Sequence, residues 1–125
     1  ERRIERVIRN LVVNAIEHAD GTPVTITLAT TETDVACRVR DRGVGMTQEV
    51  ADHVFDRFYR ADTARARTTG GTGLGLAIAT EDVAIHGGRL QAYGEPGRGA
   101  SFLMTLPKKA GADIVSRPLA LWENE

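Results

Sequence analysis

A single cysteine, Cys37, excludes an internal disulfide. Its alternating apolar neighbours place it on a buried strand, and a lone thiol fits a reducing compartment. The chain also lacks an excess of positive charge. Sixteen Lys and Arg against seventeen Asp and Glu leave a formal net charge of -1. That excludes a nucleic-acid binder working by bulk charge, which needs a basic patch or stripe. No apolar stretch approaches the ~18 residues that cross a bilayer. The opening residues show no signal-peptide pattern, because they already lie in a charged helical repeat. What is present is ordinary for a soluble globular protein: 42% hydrophobic and 26% charged residues over 125 positions. That length suits one domain with a sizeable core.

Glu1-Arg2-Arg3-Ile4 opens inside a helical pattern without a capping residue, which reads as a piece cut from a longer protein. Ile4, Val7, Ile8, Leu11, Val12, Ala15, Ile16 and Ala19 recur at helical spacing and predict an amphipathic helix ended by Asp20-Gly21-Thr22-Pro23. Val24, Ile26 and Leu28 alternate with threonines in one half-buried strand. Val35, Cys37 and Val39 alternate in a second, with a hairpin connection through residues 31–34. Thr47 reads as the N-cap of a short helix running toward Phe55, with Glu49 at the favourable end of its dipole. Residues 59–73 have no period and are rich in Arg, Thr and Gly; a loop of that length in a compact domain is usually functional or mobile. Leu74 to Ile85 is helical and apolar on more than one side, ending at His86-Gly87-Gly88. Two more strands, 90–93 and 101–106, follow. The order predicts an α/β fold: a two-layer α/β sandwich with a mixed, mostly antiparallel sheet covered by about three helices. Residues 1–109 form the domain. Residues 110–125 read as a tail behind an Ala-Gly-Ala linker, for which docking through Leu119, Leu121 and Trp122 and disorder both stay open.

Three segments carry chemistry. Asn10 and Asn14 project from one side of the first helix, next to its apolar face. Their amides offer oxygens to a cation and N–H groups to a phosphate. Taken alone, two solvated surface asparagines are the commoner case. Asp41 falls on the inner face of the second strand by counting in twos. An inward carboxylate needs a partner, and an ionised one is acceptor-only, which suits the exocyclic amine of adenine. Taken alone, an aspartate capping a Gly-rich turn is commoner. Gly71-Thr72-Gly73-Leu74-Gly75-Leu76 opens the third helix, where free N–H groups and the helix dipole bind phosphate. A hinge before a buried helix explains those glycines equally well. No strand precedes them, so a dinucleotide-binding βαβ unit is rejected. His18, His53 and His86 are too scattered for a metal site and read as structural.

In order, Arg9–Ala15, Asp41–Met46, Val54–Arg60 and Gly71–Leu76 resemble the N, G1, F and G2 boxes of sensor histidine kinases, members of the Bergerat-fold ATPase superfamily. The resemblance runs through His86-Gly87-Gly88 and the strand at Ser101-Phe102, covering residues 1 to about 107. Four ordered boxes leave little room for chance. The resemblance implies a Bergerat ATP-binding fold, with ATP and Mg²⁺ as ligands. Asn14 then holds Mg²⁺, with Asn10 beside it near the phosphates. Asp41 reads adenine. Gly43, Gly45, Gly71, Thr72, Gly73, Leu74, Gly75 and Leu76 cradle the nucleotide. His18 and Met46 line the pocket. Phe55 and Phe58 anchor a lid over about 59–73, and its Arg60 and Arg65 approach the γ-phosphate.

One departure stands out. The family often has a basic residue three positions after the Mg²⁺ asparagine, and this chain has Glu17. Arg60, Arg65 or Arg67 is then left to supply that charge. The resemblance implies transfer of the γ-phosphate to a histidine on a separate dimerisation domain, with a response regulator acting later. It implies a cytoplasmic domain of a parent anchored in the bacterial inner membrane. Two alternatives stay open. Hydrolytic relatives and anti-sigma-factor serine kinases place a glutamate four residues before the Mg²⁺ asparagine; Asn10 stands there, and an amide is no general base. A non-catalytic nucleotide-sensing module is favoured only by Glu17.

Overall fold

A computed structural model describes residues 2–19, 21–55 and 75–122. The chain runs α1 (Arg2–His18), β1 (Val24–Thr30), β2 (Asp34–Asp41), α2 (Gln48–His53), α3 (Gly75–Ile85), β3 (Arg89–Glu95) and β4 (Gly99–Pro107). The four strands form one sheet in the order β1-β2-β4-β3, and every described pairing is antiparallel. No helix among the described residues is long and apolar enough to cross a membrane.

The inner face of the sheet carries the core. Cys37 and Val39 of β2 pair with Met104 and Phe102 of β4, and Leu90 and Ala92 of β3 extend the same rows. Against them α1 sets Val7, Leu11 and Ala15, spaced four apart and fully buried. The α3 helix adds Ala79 and Val83. The two helices are tied by Arg6, whose Nη2 lies 2.9 Å from the buried Asp82 carboxylate. The α3 helix ends in a Schellman arrangement: Gly88 N–H donates to the Val83 carbonyl at 2.9 Å and Gly87 N–H to Ala84 at 3.0 Å. Gly87 sits at φ +75, the left-handed conformation that this cap requires. Burial pushes the Cys37 thiol up, which keeps it unreactive.

Two expectations differ from the structure. Ile26 and Leu28 lie on the inner side of β1, yet they are 49% and 68% exposed. The reason is topological: β1 is the sheet edge, and α1 lies chiefly over β2 and against α3. Ile16, counted with the apolar face of α1, is exposed on the same grounds.

The outer face of the sheet is covered by the tail. Asp34, at the start of β2, is completely buried. Its Oδ2 accepts from Val115 N–H at 3.0 Å, Ser116 N–H at 2.6 Å, the Ser116 hydroxyl and the Thr33 hydroxyl, both at 2.7 Å. Burial pushes this carboxyl up, but the four donors outweigh it and hold the pKa at about 2. The tail then follows β2. Arg38 donates to the Ala120 carbonyl at 2.9 Å and the Ser101 hydroxyl to Leu121 at 2.6 Å. Beneath it Ala36, Ser101, Leu103 and Thr105 become buried.

Candidate functional site

The C-terminal end of β2 is where backbone segments crowd together. Asp41 is 1% exposed there. Its Oδ1 accepts from Gly43 N–H at 2.9 Å and from Ala100 N–H at 3.3 Å. Among the described residues no donor reaches Oδ2. One oxygen is thus fixed by backbone and the other is left to accept. This is the inward orientation that strand periodicity predicts.

The glycines that follow explain how the crowding is possible. A Cβ on Gly43 would lie 1.9 Å from the His18 carbonyl at the end of α1. One on Gly45, at φ +77, would lie 2.0 Å from the Glu95 carbonyl of the β3–β4 turn. Gly43 and Gly45 therefore let the segment after β2 press between α1 and that turn, a packing reason for residues read as approaching a ligand. The turn is held in place by Gly97 N–H donating to Val44 at 2.9 Å. Sequence reasoning missed two members of this junction. Gly99, at φ +98, would put a Cβ 2.0 Å from the Asp41 carbonyl, and Gly94 makes room for Met46. Their only signal was the glycine density around Pro96.

Met46 is buried within the core cluster and Phe55 packs against it. Phe55 meets Phe102 edge-on at 6.0 Å between centroids. Thr47 caps α2, its hydroxyl accepting from Val50 N–H at 3.3 Å. On α1, Arg6, Asn10 and Asn14 recur at four-residue spacing, and Arg6 reaches Asp82 on α3. Asn10, Asn14 and His18 are all half-buried. His18 ends α1, where its carbonyl is met by Val44 N–H at 3.4 Å. The structure thus joins the end of α1, Asp41, Gly43, Gly45, Met46 and Phe55 at one end of the sandwich. Gly75 begins α3, and Leu76 packs on the core. Phe58, Arg60, Arg65, Gly71, Thr72, Gly73 and Leu74, with the whole of the expected lid over 59–73, lie outside the described residues.

Residues 1–110 match the family described as histidine kinase-, DNA gyrase B-, and HSP90-like ATPase. The chain belongs to that ATPase family. The ATPase domain is 52% identical over 120 residues to the sensor histidine kinase MtrB of Mycobacterium tuberculosis, covering 96% of this chain and 21% of MtrB. It therefore spans about a fifth of the length of that relative. Among solved structures it resembles full-length ShkA in complex with AMPPNP, with a TM-score of 0.74 and 28% identity over 94% of this chain and 23% of that one. It also resembles the mycobacterial sensor histidine kinase MprB, with a TM-score of 0.73 and 26% identity over 87% of this chain and 72% of that one.

No group of three or more His, Cys, Asp or Glu among the described residues could cage a metal. Mg²⁺ ordinarily takes one or two protein oxygens and completes its shell with water and phosphate. A single amide oxygen from Asn14 fits that habit.

Proposed function

We propose that this ATPase domain binds Mg²⁺-ATP and donates the γ-phosphate to a histidine on a separate dimerisation domain of the same sensor kinase. The observation that carries the nucleotide reading is Asp41: a buried carboxylate with one oxygen pinned by two backbone N–H groups and the other available. Its free oxygen accepts the exocyclic amine of adenine. Met46 and Phe55 supply apolar surface near the base.

The phosphates belong between α1 and the start of α3. Asn10 and Asn14 lie on α1, which packs against α3, and the first N–H groups of α3 have no helical partners of their own. Asn14 would hold Mg²⁺, which neutralises charge on the phosphates when bound. Arg60 and Arg65 would approach the γ-phosphate. Asn10 separates transfer from hydrolysis, since it cannot take a proton from water. Catalysis is then positioning and charge neutralisation, as is general for phosphoryl transfer. The likeness to MtrB and MprB, both sensor histidine kinases, and to a structure holding AMPPNP supports this reading. The same reading places a response regulator after the kinase and the domain on the cytoplasmic side of a membrane-anchored parent.

The test is base discrimination. Adenine presents an amine donor where guanine presents a carbonyl acceptor, which Asp41 would repel. Calorimetric titration should find GTP binding at least about tenfold weaker than ATP, the size of one lost hydrogen bond to a charged group. Equal affinities would remove Asp41 from base reading.

A further inference from the structure

The tail is fastened at its two ends. At the first, Val115 and Ser116 hold Asp34. At the second, Trp122 lies over the Arg40 guanidinium, 3.9 Å from its carbon to the ring centroid, and meets Tyr93 edge-on at 5.0 Å. Between them the fit is loose. A cavity of about 320 Å³ separates the tail from β3 and β4, lined by Arg89, Gln91, Leu103, Thr105, Arg117 and Leu121 among others. The tail is thus a strap with two anchors and a slack middle.

The second anchor sits behind the nucleotide site. Arg40 is only 7% exposed. Its Nε donates to the Asp41 carbonyl at 3.1 Å and its Nη2 to the Arg98 carbonyl at 3.0 Å. These two carbonyls belong to the two segments that frame the Asp41 carboxylate: the end of β2 and the β3–β4 turn. The turn is braced further by Glu95, which accepts from Tyr93 Oη and Arg98 Nη1, each at 2.9 Å. One guanidinium therefore spans the junction, and an indole from the tail covers its face.

We propose that Trp122 and Arg40 are positioning residues for nucleotide binding: the docked tail holds Arg40, and Arg40 holds the end of β2 against the β3–β4 turn so that Asp41 is preset for the base. The inference rests on the nucleotide reading of Asp41. It makes tail docking and nucleotide binding thermodynamically coupled, so each strengthens the other by the same factor.

Two measurements test this. Trp122→Ala should weaken ATP binding by about fivefold, the lower end of ordinary coupling between sites. Trp122→Phe, which keeps an aromatic face over Arg40, should restore most of it. In the native chain, saturating Mg²⁺-ATP should slow hydrogen exchange at the Val115 and Ser116 amides by about the factor that Trp122→Ala loses. Bound ligand also slows exchange generally by stabilising the native state, so the coupling is read as slowing at Val115 and Ser116 that is lost in Trp122→Ala. Identical exchange with and without nucleotide overturns the proposal even if Trp122→Ala fails to fold. Asp41→Asn separates the two claims. If it binds ATP as the native chain does, the nucleotide reading fails. If it binds poorly while Trp122→Ala binds normally, the coupling alone fails.

Discussion

Replacing Asp41 by asparagine should uncouple stability from affinity, because its two oxygens have different tasks. Oδ1 accepts from the Gly43 and Ala100 amides at 2.9 and 3.3 Å. An asparagine keeps one carbonyl oxygen and can turn it to those two donors, so the end of β2 stays closed. Its NH₂ group then occupies the place of Oδ2 and points a donor at the adenine amine. The loss is a hydrogen bond to a buried charge, about 1.5–3 kcal/mol, or roughly ten- to a hundredfold in the dissociation constant for ATP. Asp41→Ala behaves differently. It leaves both amides without an acceptor in a buried setting, at about 1–3 kcal/mol for each, so it should lower the melting temperature as well as the affinity. Calorimetric titration with ATP and thermal denaturation of native, Asn and Ala forms give the comparison. The reasoning is refuted if the Asn form binds ATP with native affinity, or if it is as unstable as the Ala form.

Two further outcomes follow from the same geometry. Asp34 is held at a pKa of about 2 against its usual 3.8 by donors from Thr33, Val115 and Ser116, despite the opposing effect of burial. A depressed carboxylate contributes fully above its unfolded pKa and loses that contribution as pH falls through the folded one. The amide NMR shifts of Val115 and Ser116 should therefore hold steady down to about pH 4 and report release of this anchor between about pH 4 and 2; Asp34→Asn should remove that transition, and its persistence would exclude Asp34 as the latch. Gly97 and Gly99 both have positive φ, but a Cβ at 97 meets nothing within 4 Å, whereas one at 99 meets the Asp41 carbonyl at 2.0 Å. Gly97→Ala should cost about 1–2 kcal/mol of left-handed backbone strain and Gly99→Ala distinctly more, read by urea denaturation; equal costs would deny the close packing of β4 on the end of β2.

The elements were legible in the sequence where local pattern decides them. Val7, Leu11 and Ala15 mark the buried stripe of α1, and counting in twos from Cys37 puts Asp41 inside. Thr47 was readable as a cap because its acceptor task is local. The ordered boxes around Asn10, Asn14, Asp41 and Gly75 carry the family on residue types and spacing alone. Features set by distant chain were not legible. Whether Ile26 and Leu28 are covered depends on β1 being the sheet edge, which alternation cannot reveal. The partners of Asp34 come from Val115 and Ser116, so its burial has no local signal, and the sequence left docking and disorder of the tail both open. Gly43 and Gly45 read as close approaches to a ligand and Gly99 as a turn residue, while the structure gives each one a specific carbonyl to avoid.

The central claim is transfer of phosphate to another domain, and one assay addresses it directly. The chain is incubated with γ-labelled ATP and Mg²⁺, alone and with the dimerisation helices of its parent, and acid-labile label is followed on each polypeptide. His18 and His86 end helices, and none of the three histidines is followed by the acid and apolar helical repeat of an acceptor. The prediction is label on the helices only, lost in Asn14→Ala, with no phosphate released by the chain alone. Label on the chain itself, or steady release of phosphate without an acceptor, would contradict it.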